Sequence, residues 1–286
     1  MEHSLPNFTA SGLVFAFGLT LLAGLATGLG SAIAFFAKRT NLRPLAWSLA
    51  FSAGVMLYVS FVEILPKATD SLARNYSSSA AGWLANLGFF AGIIVMAIID
   101  ALVPKAENPH ELRADADLQL LKAQGGTTTA PAGEQRRLRR MGLFTALAIA
   151  IHNFPEGMAT FLAALENPQT GVAIAIAVAL HNIPEGISVS VPIYYATGRR
   201  GRAFMLSFLS GLAEPLGGLV AAVTLDWLLP PQSMGLVFAS VAGVMVYVSI
   251  DELLPTARQY GRSHEVLAGI AGGMALMAVS LLLLKS

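Results

Sequence analysis

The chain has 286 residues, of which 55% are hydrophobic and only 12% are charged, whereas ordinary soluble domains are about 25% charged. Its formal net charge is +1, so no single-sign field is present to attract nucleic acid, and no nucleic-acid partner is expected. It contains no cysteine, which excludes disulfides, thiol redox chemistry and thiolate metal ligands. This composition predicts a protein whose surroundings are the lipid bilayer.

Apolar runs recur along nearly the whole chain, and each is long enough to cross a hydrocarbon core, which takes about 20 helical residues. A single signal peptide or anchor does not explain this recurrence. We predict an all-α polytopic membrane protein, with one transmembrane domain over residues 1–286. The eight predicted transmembrane helices lie near residues 10–37, 44–66, 82–103, 142–165, 169–197, 201–229, 233–257 and 265–284.

The stretch 105–140 is the only one with the composition of a soluble connector, and we predict a flexible loop there. All but three of the 18 Lys and Arg residues lie in loops that follow the odd-numbered helices. The three exceptions are Lys67, Arg74 and Lys285. By the positive-inside rule these odd-numbered loops, including 105–140, are cytoplasmic, and both termini face the extracytoplasmic side of the cell (inner) membrane.

An internal repeat links the two ends of the chain. The segment 53–66 in the second helix matches 242–255 in the seventh, and 24–30 in the first helix echoes 211–217 in the sixth. Under the predicted topology the two members of each pair run in opposite directions. We therefore predict an inverted repeat of helices 1–3 and 6–8 around central helices 4 and 5, which is typical of alternating-access transporters with a substrate site near the midplane.

Two near-identical polar hexamers interrupt the fourth and fifth apolar runs, and they carry the candidate chemistry. They read His152-Asn153-Phe154-Pro155-Glu156-Gly157 and His181-Asn182-Ile183-Pro184-Glu185-Gly186. In each hexamer the His and the Glu share one helical face, and the Asn neighbours the Glu. Imidazole suits zinc and iron(II), whereas carboxylate and amide oxygens suit manganese and other hard cations. The mixture predicts a site for borderline divalent transition metals, not an all-oxygen magnesium or calcium site.

Further acids and one thioether lie in the same apolar runs. Glu214 lies in the sixth helix, and an isolated acid at mid-helix costs about 2.5 to 3.5 kcal/mol, so it must share cations, protons or water. Glu63 lies near the outer end of the second helix and is interpreted either as an entrance residue or as a solvated surface residue. Met56 fits core packing better than thioether ligation. Asp251 and Glu252 lie near the inner end of the seventh helix.

The pair of HNxPEG hexamers, the eight-helix layout and the long loop after the third helix resemble the ZIP (Zrt-, Irt-like protein) family of metal transporters, and most closely its bacterial ZupT-type branch. The resemblance covers essentially the whole chain. It implies a binuclear site for transported Zn²⁺, with Fe²⁺, Mn²⁺ and Cd²⁺ as alternatives, and uptake toward the cytoplasm. The implied first metal position consists of His152, Glu156, His181 and Glu185, with Met56 as an extra contact. The implied second position consists of Asn153, Asn182, Glu156, Glu185 and Glu214, with Glu156 and Glu185 bridging.

Rival interpretations are weaker. An intramembrane metalloprotease would carry HExxH, but residue 153 is Asn and the sequence has no His-x-x-x-His pair. No enzymatic activity and no prosthetic group are expected. A metal-selective channel stays open beside a carrier, since both need a path lined by ligands. The Gly24-x-x-x-Gly28 pattern is compatible with helix packing within one chain or in a homodimer.

Overall fold

The fold is taken from a computed structural model of the chain, which describes residues 9–34, 43–102, 132–197, 199–224 and 233–285. Within these ranges all regular structure is helical, as the sequence predicts. We number the helices α1 to α8. The uninterrupted helices are α1 (Ala10–Ala34), α3 (Ser78–Leu102), α4 (Ala132–Glu166), α5 (Pro168–Thr197) and α8 (Ser263–Lys285). Helix α2 comprises Arg43–Val59, a π-helical turn at Ser60–Ile64 and Leu65–Ala73, and α7 comprises Met234–Val248, a π-helical turn at Ser249–Leu253 and Leu254–Tyr260. Helix α6 comprises Arg200–Gly211 and Ala213–Thr224.

The helices have the length and the surface of a membrane protein. Seven of them are long and apolar enough to cross a membrane, by length and composition. Large apolar side chains such as Trp83, Leu87 and Leu282 are exposed on the outside of the bundle. In a soluble protein such an apolar surface would be in unfavourable contact with water. The protein is therefore an all-α polytopic membrane protein. Helix α4 coincides with the fourth predicted span but is not among the seven, and the count of eight spans stays a prediction.

The helices differ from the expected ones in several places, and α2 continues to Ala73 and does not end near residue 66. Helix α4 begins at Ala132 and not near residue 142, so the last part of the predicted 105–140 loop is helical, because Glu, Gln and Arg are good helix formers that extend the apolar helix. Helix α6 is interrupted at Leu212. Pro215 has no N–H to give to the Gly211 carbonyl, which explains the interruption. Residues 105–131 of the predicted loop lie outside the described part of the chain.

The two π-helical turns occupy equivalent positions of the sequence repeat. Ser60–Ile64 in α2 and Ser249–Leu253 in α7 are separated by the same 189 residues as the repeated segments (60 to 249). Each turn ends two residues before a proline, Pro66 or Pro255. Proline donates no hydrogen bond to the preceding turn and its ring displaces that turn, so the helix widens there. The repeated sequence thus produces the same helix defect twice.

Close glycine contacts between helices follow the same repeat. A methyl group added to Gly30 of α1 would collide with the Ile183 carbonyl of α5, and one added to Gly217 of α6 would collide with the Phe154 carbonyl of α4. Gly30 and Gly217 are 187 residues apart, like the repeated segments of α1 and α6. Phe154 and Ile183 hold the same place in the two polar hexamers. The two contacts are therefore copies of one another.

A second pair of contacts is related in the same way. Gly157 of α4 lies against the backbone of Glu214 in α6, and Gly186 of α5 lies against the backbone of Thr27 in α1. Reciprocal contacts of this kind define a two-fold relation. This pseudo-two-fold exchanges α1 with α6 and α4 with α5. The equivalent contacts of Gly54 with Ile270 and of Gly243 with Phe89 extend it to α2 with α7 and α3 with α8. The predicted repeat is thus present, and it also includes the two central helices.

The helices pack as two groups of four. Helices α1, α4, α5 and α6 pack on one another, and so do α2, α3, α7 and α8. The groups meet mainly where α2 packs on α5 and where α7 packs on α4, and the pseudo-two-fold exchanges these two contacts. Helices α4 and α5, which carry the polar hexamers, are therefore enclosed on both sides by other helices.

An ion-pair cluster joins the two groups at the end of α4. Glu166 Oε1 lies 2.8 Å from the Arg74 guanidinium, and Glu166 Oε2 lies 3.4 Å from Lys67 Nζ. Lys67 also lies over the Phe238 ring, 5.4 Å from its centroid. The side chains of Lys67 and Glu166 are only 14% and 15% exposed, so this pair is less screened by solvent than an ordinary surface ion pair. The cluster connects the last turn of α4 to the end of α2.

We expect Glu166→Gln to lower the midpoint of thermal unfolding in detergent by a few degrees, because it leaves Lys67 partly buried without its carboxylate. The corresponding loss of stability is about 1 kcal/mol. The matched control is Glu265→Gln, which removes a Glu–Arg pair whose Arg43 side chain is 55% exposed, and it should change the midpoint less. Equal shifts in the two variants would show that the cluster adds nothing beyond surface charge.

Candidate metal centre

The two polar hexamers meet inside the bundle. Helix periodicity places His and Glu of each hexamer on one face, and the packing of α4 on α5 turns these faces toward each other. None of the seven polar side chains that the sequence singles out here is more than 1% exposed. They are His152, Asn153, Glu156, His181, Asn182, Glu185 and Glu214. The structure therefore brings the predicted core of the site together.

The imidazoles and carboxylates pair across the two helices and not within one helix. His152 Nε2 lies 3.3 Å from Glu185 Oε1, and His181 Nε2 lies 3.1 Å from Glu156 Oε2. The pseudo-two-fold exchanges one pair with the other. Each pair combines a nitrogen of one helix with an oxygen of the other, so the site holds α4 and α5 together through their polar side chains.

Both N···O distances match those between neighbouring ligands of one ion. Two ligands on a tetrahedral zinc, at bond lengths near 2.0 Å, are about 3.3 Å apart. In the described part of the chain, however, no group of three or more His, Asp or Glu side chains is arranged to hold a metal ion as it stands. The arrangement is therefore two donor pairs side by side and not a closed cage.

The backbone fixes the orientation of His181. Its Nδ1 lies 3.0 Å from the Ala177 carbonyl, which requires the hydrogen to be on Nδ1. The other nitrogen, Nε2, then faces the Glu156 carboxylate. A lone pair that faces a carboxylate at this distance is stable only with a proton or a cation between them. Metal-binding histidines usually have this second hydrogen bond to a carbonyl or carboxylate.

The two asparagines are anchored to the helices that flank the site. Asn182 Nδ2 donates to the Ala23 carbonyl of α1 at 2.9 Å and also contacts Glu214 Oε1. Asn153 Nδ2 donates to the Ser210 carbonyl of α6 at 3.5 Å. Because both amide nitrogens are used on the backbone, both amide oxygens are free to point elsewhere. The interruption of α6 places Glu214 in the first turn of a new helical segment, where the helix dipole favours an acid.

Four buried oxygen atoms of the site accept no hydrogen bond from any residue that the structure describes. They are Asn153 Oδ1, Glu156 Oε1, Asn182 Oδ1 and Glu214 Oε2. Buried polar atoms are normally satisfied, and a buried carboxylate is costly without a compensating charge. Three carboxyl groups buried together with amides and imidazoles therefore form a site that needs protons or a cation.

The predicted outer residues of the site lie on α2. Met56 is fully buried in the hydrophobic core. Ser52, one turn before it on the same face, donates to the His181 carbonyl at 3.3 Å, so Met56 is on the face of α2 that meets α5. Glu63 lies in the π-helical turn and is only 7% exposed, which does not fit a simple surface acid. Its equivalent Glu252 lies in the π-helical turn of α7.

Sequence reasoning missed the hydroxyl groups around α5. The hydroxyls of Ser31 of α1 and Ser207 of α6 contact each other, and both lie within hydrogen-bonding distance of the Gly186 carbonyl, at 3.2 and 3.1 Å. They brace α5 directly beside Glu185. Serines are common in membrane helices and usually bond to their own backbone, so their residue type alone gave no signal.

The comparison with known families supplies the identity of this architecture. A family model described as ZIP zinc transporter matches residues 2–100 and 105–281, which include both hexamers and every candidate site residue. The chain belongs to the ZIP family. The resemblance given by the hexamers and the layout of helices is thereby confirmed.

Relatives of this ZIP protein are similar over nearly their whole length. A zinc transporter ZupT of Chlorobaculum parvum is 55% identical, with 95% of this chain and 98% of the relative covered. The zinc transporter ZupT of Lysinibacillus sphaericus is 54% identical over the same shares of the two chains. That of Clostridium perfringens is 52% identical, with 95% of this chain and 96% of the relative covered.

Proposed function

We propose that this ZIP protein carries divalent transition-metal ions, zinc first, across the cell membrane into the cytoplasm. The observation that carries the proposal is the buried cluster of two imidazoles, two amides and three carboxyl groups. Four of its oxygens accept no hydrogen bond from a described residue, namely Asn153 Oδ1, Glu156 Oε1, Asn182 Oδ1 and Glu214 Oε2. Relatives more than half identical are named zinc transporters, which supports the same activity here. The proposed role is to bind and release the ion without covalent chemistry.

The proposed site holds two metal positions. His152, Glu156, His181 and Glu185 form the first, and their cross-helix pairs already have the ligand-to-ligand spacing of a zinc site. Closing them into one cage requires the pairs to approach each other when the ion arrives. Met56 approaches this position from α2.

Asn153, Asn182 and Glu214 form the second position together with bridging Glu156 and Glu185. Amide and carboxylate oxygens dominate here, so this position suits Mn²⁺ and Fe²⁺ as well as Zn²⁺ or Cd²⁺.

The proposed path runs from Glu63 through the site to Asp251 and Glu252. Glu63 attracts the hydrated ion near the outer end of α2, and the acids of the π-helical turn in α7 receive it on the other side. A negative-inside membrane potential favours inward movement by about 2.3 kcal/mol per charge per 100 mV. Because metal ligands also bind protons, protonation of the site assists release.

The test is metal uptake into proteoliposomes that contain wild type or the Glu156→Ala, Glu185→Ala variant, with zinc, iron(II), manganese and magnesium compared. We expect saturable uptake of the transition metals by wild type, none above background by the variant, and no magnesium uptake. Glu265→Ala, at a partly exposed surface pair, is the control and should transport like wild type. Equal flux through wild type and the double variant would contradict the proposal. A flux that does not saturate with rising metal concentration would favour a channel over a carrier.

A further inference from the structure

The pseudo-two-fold of the bundle gives Glu214 an equivalent residue. The repeat in α1 and α6 relates Gly24 to Gly211 and Thr27 to Glu214, each 187 residues apart. The structure preserves this relation in detail. The Glu214 side chain lies beside Gly24, and the Thr27 side chain lies beside Gly211. A methyl group added to Gly211 would lie only 2.8 Å from Thr27 Oγ1. Thr27 thus occupies the place on α1 that Glu214 occupies on α6.

The asparagines on the two sides follow the same relation. Asn182 donates to the Ala23 carbonyl, one residue before Gly24, and Asn153 donates to the Ser210 carbonyl, one residue before Gly211. Asn182 also contacts the Glu214 side chain, and the pseudo-two-fold relates Asn153 and Thr27 to this pair. The α6 side of the site thus has the carboxyl group of Glu214, and the α1 side has the hydroxyl group of Thr27.

The Thr27 hydroxyl has no structural use among the described residues. Thr27 is 0% exposed, and neither its Oγ1 nor Asn153 Oδ1 has a hydrogen-bond partner in the described ranges. The other buried threonine of this helix behaves differently, since Thr20 Oγ1 donates to the Ala16 carbonyl at 2.9 Å. A buried hydroxyl without a partner destabilises a protein, so its presence beside a polar site points to a ligand.

We propose that Thr27 is a cargo-contacting residue of the α1 side of the site, where its hydroxyl and Asn153 Oδ1 offer a neutral pair of oxygens to a divalent cation or to the water bound to it. This assignment rests on the proposed function. A neutral pair binds a cation more weakly than the Glu214 side does. The contact therefore contributes to binding without adding the negative charge that would hold the ion in place.

The test compares Thr27→Val, Thr27→Ser and Thr20→Val in zinc-uptake kinetics and in thermal unfolding. Valine has nearly the shape of threonine but lacks the hydroxyl. We expect Thr27→Val to raise the KM for zinc about five- to ten-fold, with Vmax within about two-fold of wild type and with unchanged or higher thermal stability. Thr27→Ser keeps the hydroxyl and should keep the KM of wild type, as should Thr20→Val.

The outcomes separate this assignment from the proposed function. Wild-type KM in Thr27→Val, or the same rise in KM for Thr27→Ser, would overturn the role of the hydroxyl while uptake by wild type still stands. A fall in thermal stability of Thr27→Val that matches the loss of uptake would assign the hydroxyl to structure and would also overturn it. If wild type and the Glu156→Ala, Glu185→Ala variant take up zinc equally in the same preparation, the proposed function fails, and the role of Thr27 fails with it.

Discussion

Replacing Gly186 by alanine is expected to lower zinc uptake at least ten-fold. The new methyl group would collide with the Thr27 carbonyl, which belongs to the backbone and cannot turn away as a side chain does. Helices α1 and α5 must then separate, and overpacking of this kind costs about 1 to 3 kcal/mol. Glu185 is the preceding residue, so the separation displaces a central ligand of the proposed site.

The control for this variant is Gly18→Ala. Gly18 is also a glycine of the bundle, on α1, but nothing lies within 4 Å of a methyl group added there. It should keep the uptake and the thermal stability of wild type. Gly157→Ala, the pseudo-two-fold equivalent on α4, should reproduce the loss seen for Gly186→Ala. Full uptake by both hexamer variants would mean that the close helix contacts do not position the site.

Replacing both histidines by asparagine is expected to change which metal is preferred. Imidazole nitrogen favours zinc, whereas amide and carboxylate oxygens favour manganese. In His152→Asn, His181→Asn the proposed first metal position keeps Glu156 and Glu185 but loses both imidazole nitrogens. We expect zinc uptake to fall at least ten-fold and manganese uptake to fall less, so that the ratio of zinc to manganese uptake falls.

Glu214→Gln is expected to change the ratio of zinc to manganese uptake in the opposite direction. It removes a carboxylate of the proposed oxygen-rich position and leaves both imidazoles in place, so manganese uptake should fall more than zinc uptake. Measuring both metals for both variants in one vesicle preparation removes differences in protein insertion. A ratio that stays at the wild-type value in both variants would contradict the division of the site into nitrogen-rich and oxygen-rich positions.

The helices and the buried polar cluster were predictable because each leaves a strong local pattern. Long apolar runs mark the helices, and a polar hexamer that occurs twice within such runs marks the candidate donors. The repeated segments of α2 and α7 likewise predicted equivalent structure, and both contain a π-helical turn before Pro66 or Pro255. In each case the pattern lies within one stretch of sequence, so the helix or helix defect follows from neighbouring residues.

What the sequence did not predict depends on contacts between distant stretches. Helical periodicity put His152 and Glu156 on one face but did not show that each pairs with the other helix, at Glu185 and His181. The serines that brace Gly186, and the hydroxyl of Thr27, belong to residue types that are ordinary in membrane helices. For Thr27 a usable signal existed, because the repeat aligned it with Glu214, but its meaning depends on the burial and lack of partners that only the structure shows.

The close glycine contacts have a mechanical consequence. In the described ranges each close contact of a glycine with another helix joins members of the same group of four, and none joins α2 to α5 or α4 to α7. Helices whose backbones are in direct contact resist sliding past each other. At the interface between the two groups of four helices the contacts are made by side chains, which can change rotamer. We expect each group to behave as a rigid body and the boundary to act as the plane of slip. The proposed ligands on α4, α5 and α6 would then move together with the ion, while Met56 and Glu63 on α2 would keep their positions.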